Sequence, residues 1–351
     1  MRIAVLVGNP AVQRPGYTTT CLSYEAWRRG HRVGWVSADG LSLGVDGTVR
    51  GLAQEVAPPG DDSAEGPMSR EAYLAALLAC EPSWWDLNAC ELVLMRLLAR
   101  PRPLDEDDGR YETFYRARIE AILAFATKLA ESSPTTRVIN DPHGVWRTHG
   151  KLMLAQLPER MRPRMLITRD HAELREFVER LGDEPAVLKP LMGHGGEDVF
   201  LLRRDDPNRN QILSVLGRSG YIVAQEFVPE NPALGERRML LLGGEPLRDP
   251  ATGRLACYRR DPHAGDWRGN VHLGAQTSAT DGLGPNDLEI AAELGPQLRT
   301  WGLDFVGLDF RGDKLLEINA FCPGGVDLVH RRTGFDPAPV ILDAWERAAQ
   351  G

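Results

Sequence analysis

The sequence predicts a leading α/β domain with a mainly parallel sheet, followed by an α+β body of two lobes. Three observations predict it. In the first 140 residues, short apolar runs alternate with helix-like segments, the rhythm of parallel strands joined by crossover helices. After Asn140 several strand-like runs follow one another with no helix between them, which implies antiparallel pairing. The 36 glycines and 25 prolines of the 351 residues are spread along the chain and cluster at the ends of apolar segments. That is turn punctuation in a fold of many short elements rather than disorder. At about 150 residues per domain, the length allows two or three domains.

Residues 3–7 form a continuous apolar run, as expected of a strand buried on both faces. Residues 18–29 read as a helix, with threonines able to cap its start and Gly30 placed to stop it. Strands are expected at 32–37 and 92–95, a long helix at 111–130, and a last strand at 137–140 before the Asp141-Pro142 turn. Two polar stretches, 57–70 and 100–110, read as loops. The acids Asp105 to Asp108 in the second read as a solvated segment, with a cation site as the alternative. Beyond Asn140, strands are expected at 186–189, 199–202, 221–227, 239–242, 305–310 and 314–319, with helices at 171–181 and 286–301. The expected domains are 1–140, 141–228 and 229–351.

Composition excludes several classes. Apolar residues make up 42 % and charged residues 26 %, ordinary for a globular protein. No apolar run reaches the roughly 18 residues of a membrane helix, so no membrane partner is expected. The first residues read directly into a strand and carry no export signal. Five scattered cysteines without a C-x-x-C pair fit a reduced, cytoplasmic compartment. With 41 basic against 49 acidic residues the net charge is −8, which argues against a nucleic-acid surface. The first strand runs into Gly8-Asn9-Pro10 without a G-x-G-x-x-G, a poor fit to a dinucleotide-binding oxidoreductase.

Two segments carry the chemistry. In Leu188-Lys189-Pro190-Leu191-Met192-Gly193-His194-Gly195-Gly196, a lysine ends one strand and a glycine-rich loop leads to the next. Glycines let backbone N–H groups approach a polyanion while lysine supplies a point charge. The lysine precedes the glycines and no helix follows, so this is not a Walker loop, and a tight hairpin remains the alternative. The second segment, residues 305–319, reads as a hairpin turning at Arg311-Gly312-Asp313. A three-residue turn would pair Asp309 with Leu315 and put Asp309, Glu317 and Asn319 on one face. Three hard oxygen donors suit Mg²⁺, and a half-buried strand with a polar outer face is the alternative. Lys151 near a helix start, and the basic residues Arg259, Arg260 and Arg268-Gly269-Asn270, could reach an anion or could be surface charges.

Taken in order, these residues resemble the ATP-grasp superfamily, and within it the bacterial glutathione synthetases. Lys151, Lys189 with its glycine loop, the 223–228 strand, Arg260, Arg268-Gly269-Asn270 and Asp309…Glu317-Ile318-Asn319 carry the resemblance, which runs from Met1 almost to the C-terminus. It implies that Lys151 and Lys189 hold ATP phosphates and that Gly193, Gly195 and Gly196 close over them. Gln225, Glu226, Phe227 and Val228 would form the hinge that recognises adenine, with Glu236 near the ribose. Asp309, Glu317 and Asn319 would hold two Mg²⁺ ions, with Mn²⁺ as the alternative. Arg238, Arg260, Arg268 and Asn270 would steady the γ-phosphate and the acyl phosphate it becomes. The implied reaction is amide formation from a carboxylate and an amine, with amino-acid or peptide substrates and a homo-oligomeric enzyme.

The first substrate pair the resemblance implies is γ-glutamylcysteine and glycine. Two departures lie where substrates bind in the family. After Met95-Arg96 the chain reads Leu97-Leu98-Ala99-Arg100-Pro101-Arg102-Pro103 instead of Lys-Asp-Pro-Pro, and after Asn319 it reads Ala320-Phe321-Cys322-Pro323-Gly324-Gly325 instead of small polar residues. A related ligase joining a different pair is therefore the second expectation, and a nucleotide-binding regulator without catalysis the third. No Ser/His/Asp or Cys/His constellation is evident, and Cys322 reads as a packed or substrate-near thiol.

Overall fold

A computed structural model describes residues 1–59, 68–96, 110–148, 150–192, 198–218, 220–271, 274–280 and 282–350, with side chains for all of these except 110–116 and 350. Most of the two expected polar loops, and the departure at 97–103, lie outside the described residues.

The first sheet contains β1 (Arg2–Val7), β2 (Arg32–Leu43), β3 (Val49–Glu55), β4 (Ser83–Asp86), β5 (Leu92–Arg96) and β6 (Arg137–Ile139), ordered β4-β3-β2-β1-β5-β6. The β1–β2, β1–β5 and β5–β6 pairs are parallel, and β2–β3–β4 is an antiparallel meander at one edge. Helices α1 (Thr18–Arg28), α2 (Arg70–Ala79) and α3 (Arg110–Ser132) accompany it. The mainly parallel expectation holds. The extension of β2, with β3, β4 and α2, goes beyond the expected elements. Gly30 does end α1, in the left-handed region at φ +83°, where glycine carries no Cβ penalty. The threonine caps are a correction. No side chain caps α1; Thr18 Oγ1 instead accepts from the Gly325 and Val326 N–H groups, at 3.0 and 3.2 Å, at the start of another helix.

After α4 (Pro142–Thr148) and α5 (Leu152–Gln156), a second sheet forms from β7 (Met165–Thr168), β8 (Ala186–Pro190), β9 (Phe200–Leu202) and β10 (Ile222–Glu226), ordered β7-β10-β8-β9 and antiparallel throughout. Helices α6 (His171–Leu181) and α7 (Arg209–Gly217) cover one face. Leu174, Val178, Leu188, Leu213, Leu216 and Ala224 form its own apolar cluster.

The third sheet is antiparallel: β14 (Gln276–Ala279), β13 (Cys257–Asp261), β11 (Glu236–Leu242), β15 (Phe305–Arg311) and β16 (Lys314–Asn319), with the short β12 (Glu245–Pro246) on β11. Helices α8 (Asp287–Thr300), α9 (Val326–Thr333) and α10 (Pro337–Gln350) complete the chain. The first and third sheets share their cores. One cluster joins Ala4, Leu6 and Val93 to Leu308, Phe310 and α8; another joins α1 to Leu240, Phe305 and α10. The Asn140 carboxamide ties them further, donating to the Phe305 and Ala320 carbonyls at 2.7 and 2.6 Å and accepting from the Phe305 N–H at 2.9 Å.

The 305–319 hairpin departs from its expected register. Arg311 belongs to the strand and pairs with Lys314, so the turn is the two residues Gly312-Asp313, with Gly312 at φ +56°. Phe310 pairs with Leu315, but Asp309 pairs with Glu317, leaving Leu316 as a bulge. One extra residue inverts the alternation. Leu315 therefore joins Phe310 in the core, and Glu317 and Asn319 keep the face of Asp309.

Candidate functional site

One end of the third sheet carries charge on a single face. Along β11, Glu236 and Arg238 share that face, while Arg237 between them points the other way. There Arg237 and Asp287 are both 0 % exposed and form a two-pronged ion pair at 2.7 and 3.0 Å. The remaining Arg237 donors reach the Gly235 and Gly312 carbonyls, so the buried charges are paired and hydrogen-bonded.

On the charged face, β11 brings Arg238 beside Asp309 of β15, and Glu236 beside Arg260 of β13. Arg238 grips Asp309 with both prongs, Nε to Oδ1 at 2.6 Å and Nη2 to Oδ2 at 2.5 Å. Arg260 Nη2 lies 2.9 Å from the same Oδ2 and 2.6 Å from Glu236 Oε1, and Asn319 Nδ2 donates to Oδ2 at 3.2 Å. Burial by itself would raise the Asp309 pKa, but the two guanidinium charges overrule it and hold the carboxyl well below the usual range.

Lys189 at the end of β8 belongs to the face of the second sheet away from its helices, opposite Val223 of β10. Burial pushes its pKa down to about 8; Lys151 adds repulsion, and Glu317 and Glu236 oppose the shift. Burial likewise lowers Lys151, against the pull of Glu317. Two lysines of one lobe thus feel two carboxylates of the next. Lys151 lies at the N-cap of α5, its Nζ 3.4 Å from the Leu191 carbonyl. The expected flap residues Gly193, Gly195 and Gly196 lie outside the described residues.

The other expected residues fall around this space. Gln225 is buried, and its side-chain carbonyl finds no protein partner among the described residues. Glu226 accepts from the Arg164 N–H at 3.0 Å and pairs with its guanidinium. Phe227 meets the edge of Trp267 at 5.8 Å between centroids, and Val228 packs near Gly312. Gly269 presses against Glu236: a Cβ there would lie 2.7 Å from the carboxylate. That contact sets the 266–270 segment beside the charged face. Arg268 is gripped by Asp266 at 2.8 Å, its hydrogen bonds pulling the Asp266 pKa down to about 2. Asn270 is half-buried, next to the buried Gly269.

Sequence reasoning missed Arg311 and Trp267. Arg311 lies over the Phe227 ring at 4.8 Å and donates to the Trp267 carbonyl at 3.0 Å, linking the 225–228 segment to the third sheet. Its two-residue spacing from Asp309 would have marked it as a strand residue on the charged face. Arg96, at the end of β5, is also buried; it donates to the Pro323 carbonyl at 2.7 Å, just beyond Asn319.

Among the described residues, no three His, Cys, Asp or Glu side chains converge on a metal position. The expected metal donors on this face, Asp309, Glu317 and the Asn319 amide, are hard oxygen ligands of the kind Mg²⁺ takes together with water and phosphate.

Two antiparallel lobes, with lysines of one near carboxylates of the next, are the arrangement that the ATP-grasp resemblance implies. Solved structures agree on the fold. The MdnC macrocyclase bound with precursor peptide MdnA from Microcystis aeruginosa superposes with a TM-score of 0.60 at 15 % identity, over 99 % of this chain and 100 % of that one. D-cycloserine synthetase DcsG gives 0.60 at 18 %, over 98 % and 99 %. Residues 150–334 match the family of the prokaryotic glutathione synthetase ATP-grasp domain. Glutathione synthetase of Xanthomonas campestris pv. campestris is 34 % identical over 94 % of this chain and 92 % of that one, and the Brucella melitensis protein 30 % over 99 % and 98 %. The chain belongs to the prokaryotic glutathione synthetase family.

Proposed function

We propose that this chain is an ATP- and Mg²⁺-dependent ligase that joins γ-glutamylcysteine to glycine. One observation carries the reading: across the two lobes Lys189 feels both Glu317 and Glu236, and Lys151 feels Glu317. Cations aimed at hard-oxygen donors across a gap suit a polyphosphate, which needs both its charge neutralised and its metal held.

In this reading Lys151 and Lys189 bind ATP phosphates. Asp309, Glu317 and Asn319 hold Mg²⁺, with Mn²⁺ as a substitute; bound there, the ions neutralise charge on the β- and γ-phosphates. The backbone of 225–228 recognises adenine and Glu236 the ribose. A carboxylate oxygen of the first substrate attacks the γ-phosphorus, and the bond to ADP breaks. Arg238, Arg260, Arg268 and Asn270 steady the transferring group and the resulting acyl phosphate. The amine of the second substrate then attacks the acyl carbon, and phosphate leaves with the former carboxylate oxygen. Positioning and charge neutralisation supply the catalysis, and no covalent enzyme intermediate is needed.

One observation favours a second reading, a ligase with a different substrate pair. The segment after Asn319 carries Phe321 and Cys322, and Arg96 anchors it through the Pro323 carbonyl. Burial raises the Cys322 pKa, so it is a neutral thiol lining that segment rather than a nucleophile. Phosphate release from ATP and Mg²⁺, measured against a matrix of carboxylates and amines, tests both. Release with γ-glutamylcysteine plus glycine alone supports the first reading. Release only with another pair selects the second, and none with any pair rejects both.

A further inference from the structure

We propose that Arg238 and Arg260 lock the metal site of the nucleotide-free protein, so that a divalent cation can bind only with or after the nucleotide. The inference rests on the ligand roles given above to Asp309, Glu317 and Asn319 and adds an order of loading to them. Its first support is the occupancy of Asp309. Oδ1 accepts from Arg238 Nε, and Oδ2 accepts from Arg238 Nη2 and Asn319 Nδ2, with Arg260 Nη2 in ion-pair contact at 2.9 Å. Both lone-pair sites of Oδ2 are taken, and the one left on Oδ1 lies beside the Arg238 guanidinium. A Mg²⁺ ion about 2.0–2.1 Å from that oxygen would sit against a positive charge until the guanidinium withdraws.

The second support is the local charge. Among the described residues, Lys151, Lys189, Arg238 and Arg260 bring four positive charges to this space, and Glu236, Asp309 and Glu317 bring three negative ones, leaving 4 − 3 = +1. A bare dication would enter a net positive region in which its one fully buried ligand is already neutralised. A triphosphate reverses both obstacles. It supplies negative charge, and its γ-phosphate offers the two arginines a bidentate partner in exchange for Asp309. Metal and nucleotide binding are then positively coupled, and by linkage the coupling is reciprocal.

The test reads binding rather than turnover. Mn²⁺ is titrated into nucleotide-free protein by electron paramagnetic resonance, with circular dichroism to confirm folding, for wild type, Arg238→Gln and Arg238→Gln/Asp309→Asn. Arg260→Gln serves in place of Arg238→Gln should that chain not fold. Removing one guanidinium should tighten Mn²⁺ binding by about tenfold or more, within the range of ordinary site coupling. The added Asp309→Asn should abolish the gain. Calorimetry with a non-hydrolysable ATP analogue, with Mg²⁺ and in EDTA, reads nucleotide binding separately. Equal Mn²⁺ affinity in folded wild type and folded variant would overturn the proposal. Failure of the analogue to bind with or without metal is a separate result, which removes the nucleotide reading and this inference with it.

Discussion

Asp309 and Glu317 stand directly opposite one another across the β15–β16 hairpin because Leu316 is bulged out of the ladder. In regular pairing from the same turn, Leu316 would stand opposite Asp309 on the charged face and Glu317 would enter the core opposite Leu308. The bulge sets two carboxylates side by side at one sheet position, an arrangement that like-charge repulsion disfavours unless a cation is to be held.

Glu317→Gln keeps the volume and removes the charge. Turnover should fall on the order of 10² or more, comparable to losing one preorganised electrostatic contact. Thermal unfolding should stay within a degree or so of wild type, because the side chain is only half-buried. Steady-state kinetics beside calorimetric melting checks this, and unchanged turnover contradicts the metal role.

Lys189 links function to pH. Its pKa of about 8 lies below the ordinary 10.5, so in the nucleotide-free protein its charge is lost as pH rises through about 8. Nucleotide affinity should therefore fall above that pH, and binding there should take up protons. Calorimetry in buffers of different ionisation enthalpy reads the uptake directly.

The same shift makes Lys189 a cost to the empty fold below about pH 8. A difference of 10.5 − 8, about 2.5 units, corresponds to roughly 3 kcal/mol at 1.36 per unit. Lys189→Met should raise the melting temperature without nucleotide and weaken ATP binding about 10- to 100-fold, the worth of a charged hydrogen bond. A destabilised variant with intact affinity would contradict both statements.

The Arg237–Asp287 pair predicts the opposite behaviour. Both side chains are fully buried and satisfied, and the pair joins β11 to the first turn of α8 and to the Gly312 turn. Asp287→Ala leaves an uncompensated buried guanidinium and should cost about 3–5 kcal/mol in urea unfolding. The kcat of the fraction that remains folded should change little.

How much of this was legible in the sequence depended on what each strand buries. The all-apolar runs in β1, β5 and β8 were plain, and Asp309, Glu317 and Asn319 were found on one face although their register was misread. The bulge is hidden in the pattern because Leu316 is as apolar as Leu315 before it, and either could fill the core position. β13, which reads Cys-Tyr-Arg-Arg-Asp, escaped because half of its residues face the charged site or the rim of the sheet rather than the core. Thr18 was read as a local cap although its hydroxyl serves a helix more than 300 residues away; propensity registers the residue type, and only tertiary structure supplies the partner.

Thr18→Val removes the acceptor for two N–H groups at the start of α9. It should cost about 1–2 kcal/mol of stability, the ordinary worth of a lost N-cap. Urea denaturation checks this, and a cost below a few tenths would show that the donors find water instead.

In the proposed reaction a carboxylate of the first substrate is phosphorylated by ATP before the amine attacks. γ-Glutamylcysteine labelled with ¹⁸O in both oxygens of its cysteinyl carboxylate, incubated with enzyme, ATP, Mg²⁺ and glycine, reveals this step in the mass of the released phosphate. One ¹⁸O atom should appear in each phosphate formed with glutathione. Amide formation with unlabelled phosphate would contradict it.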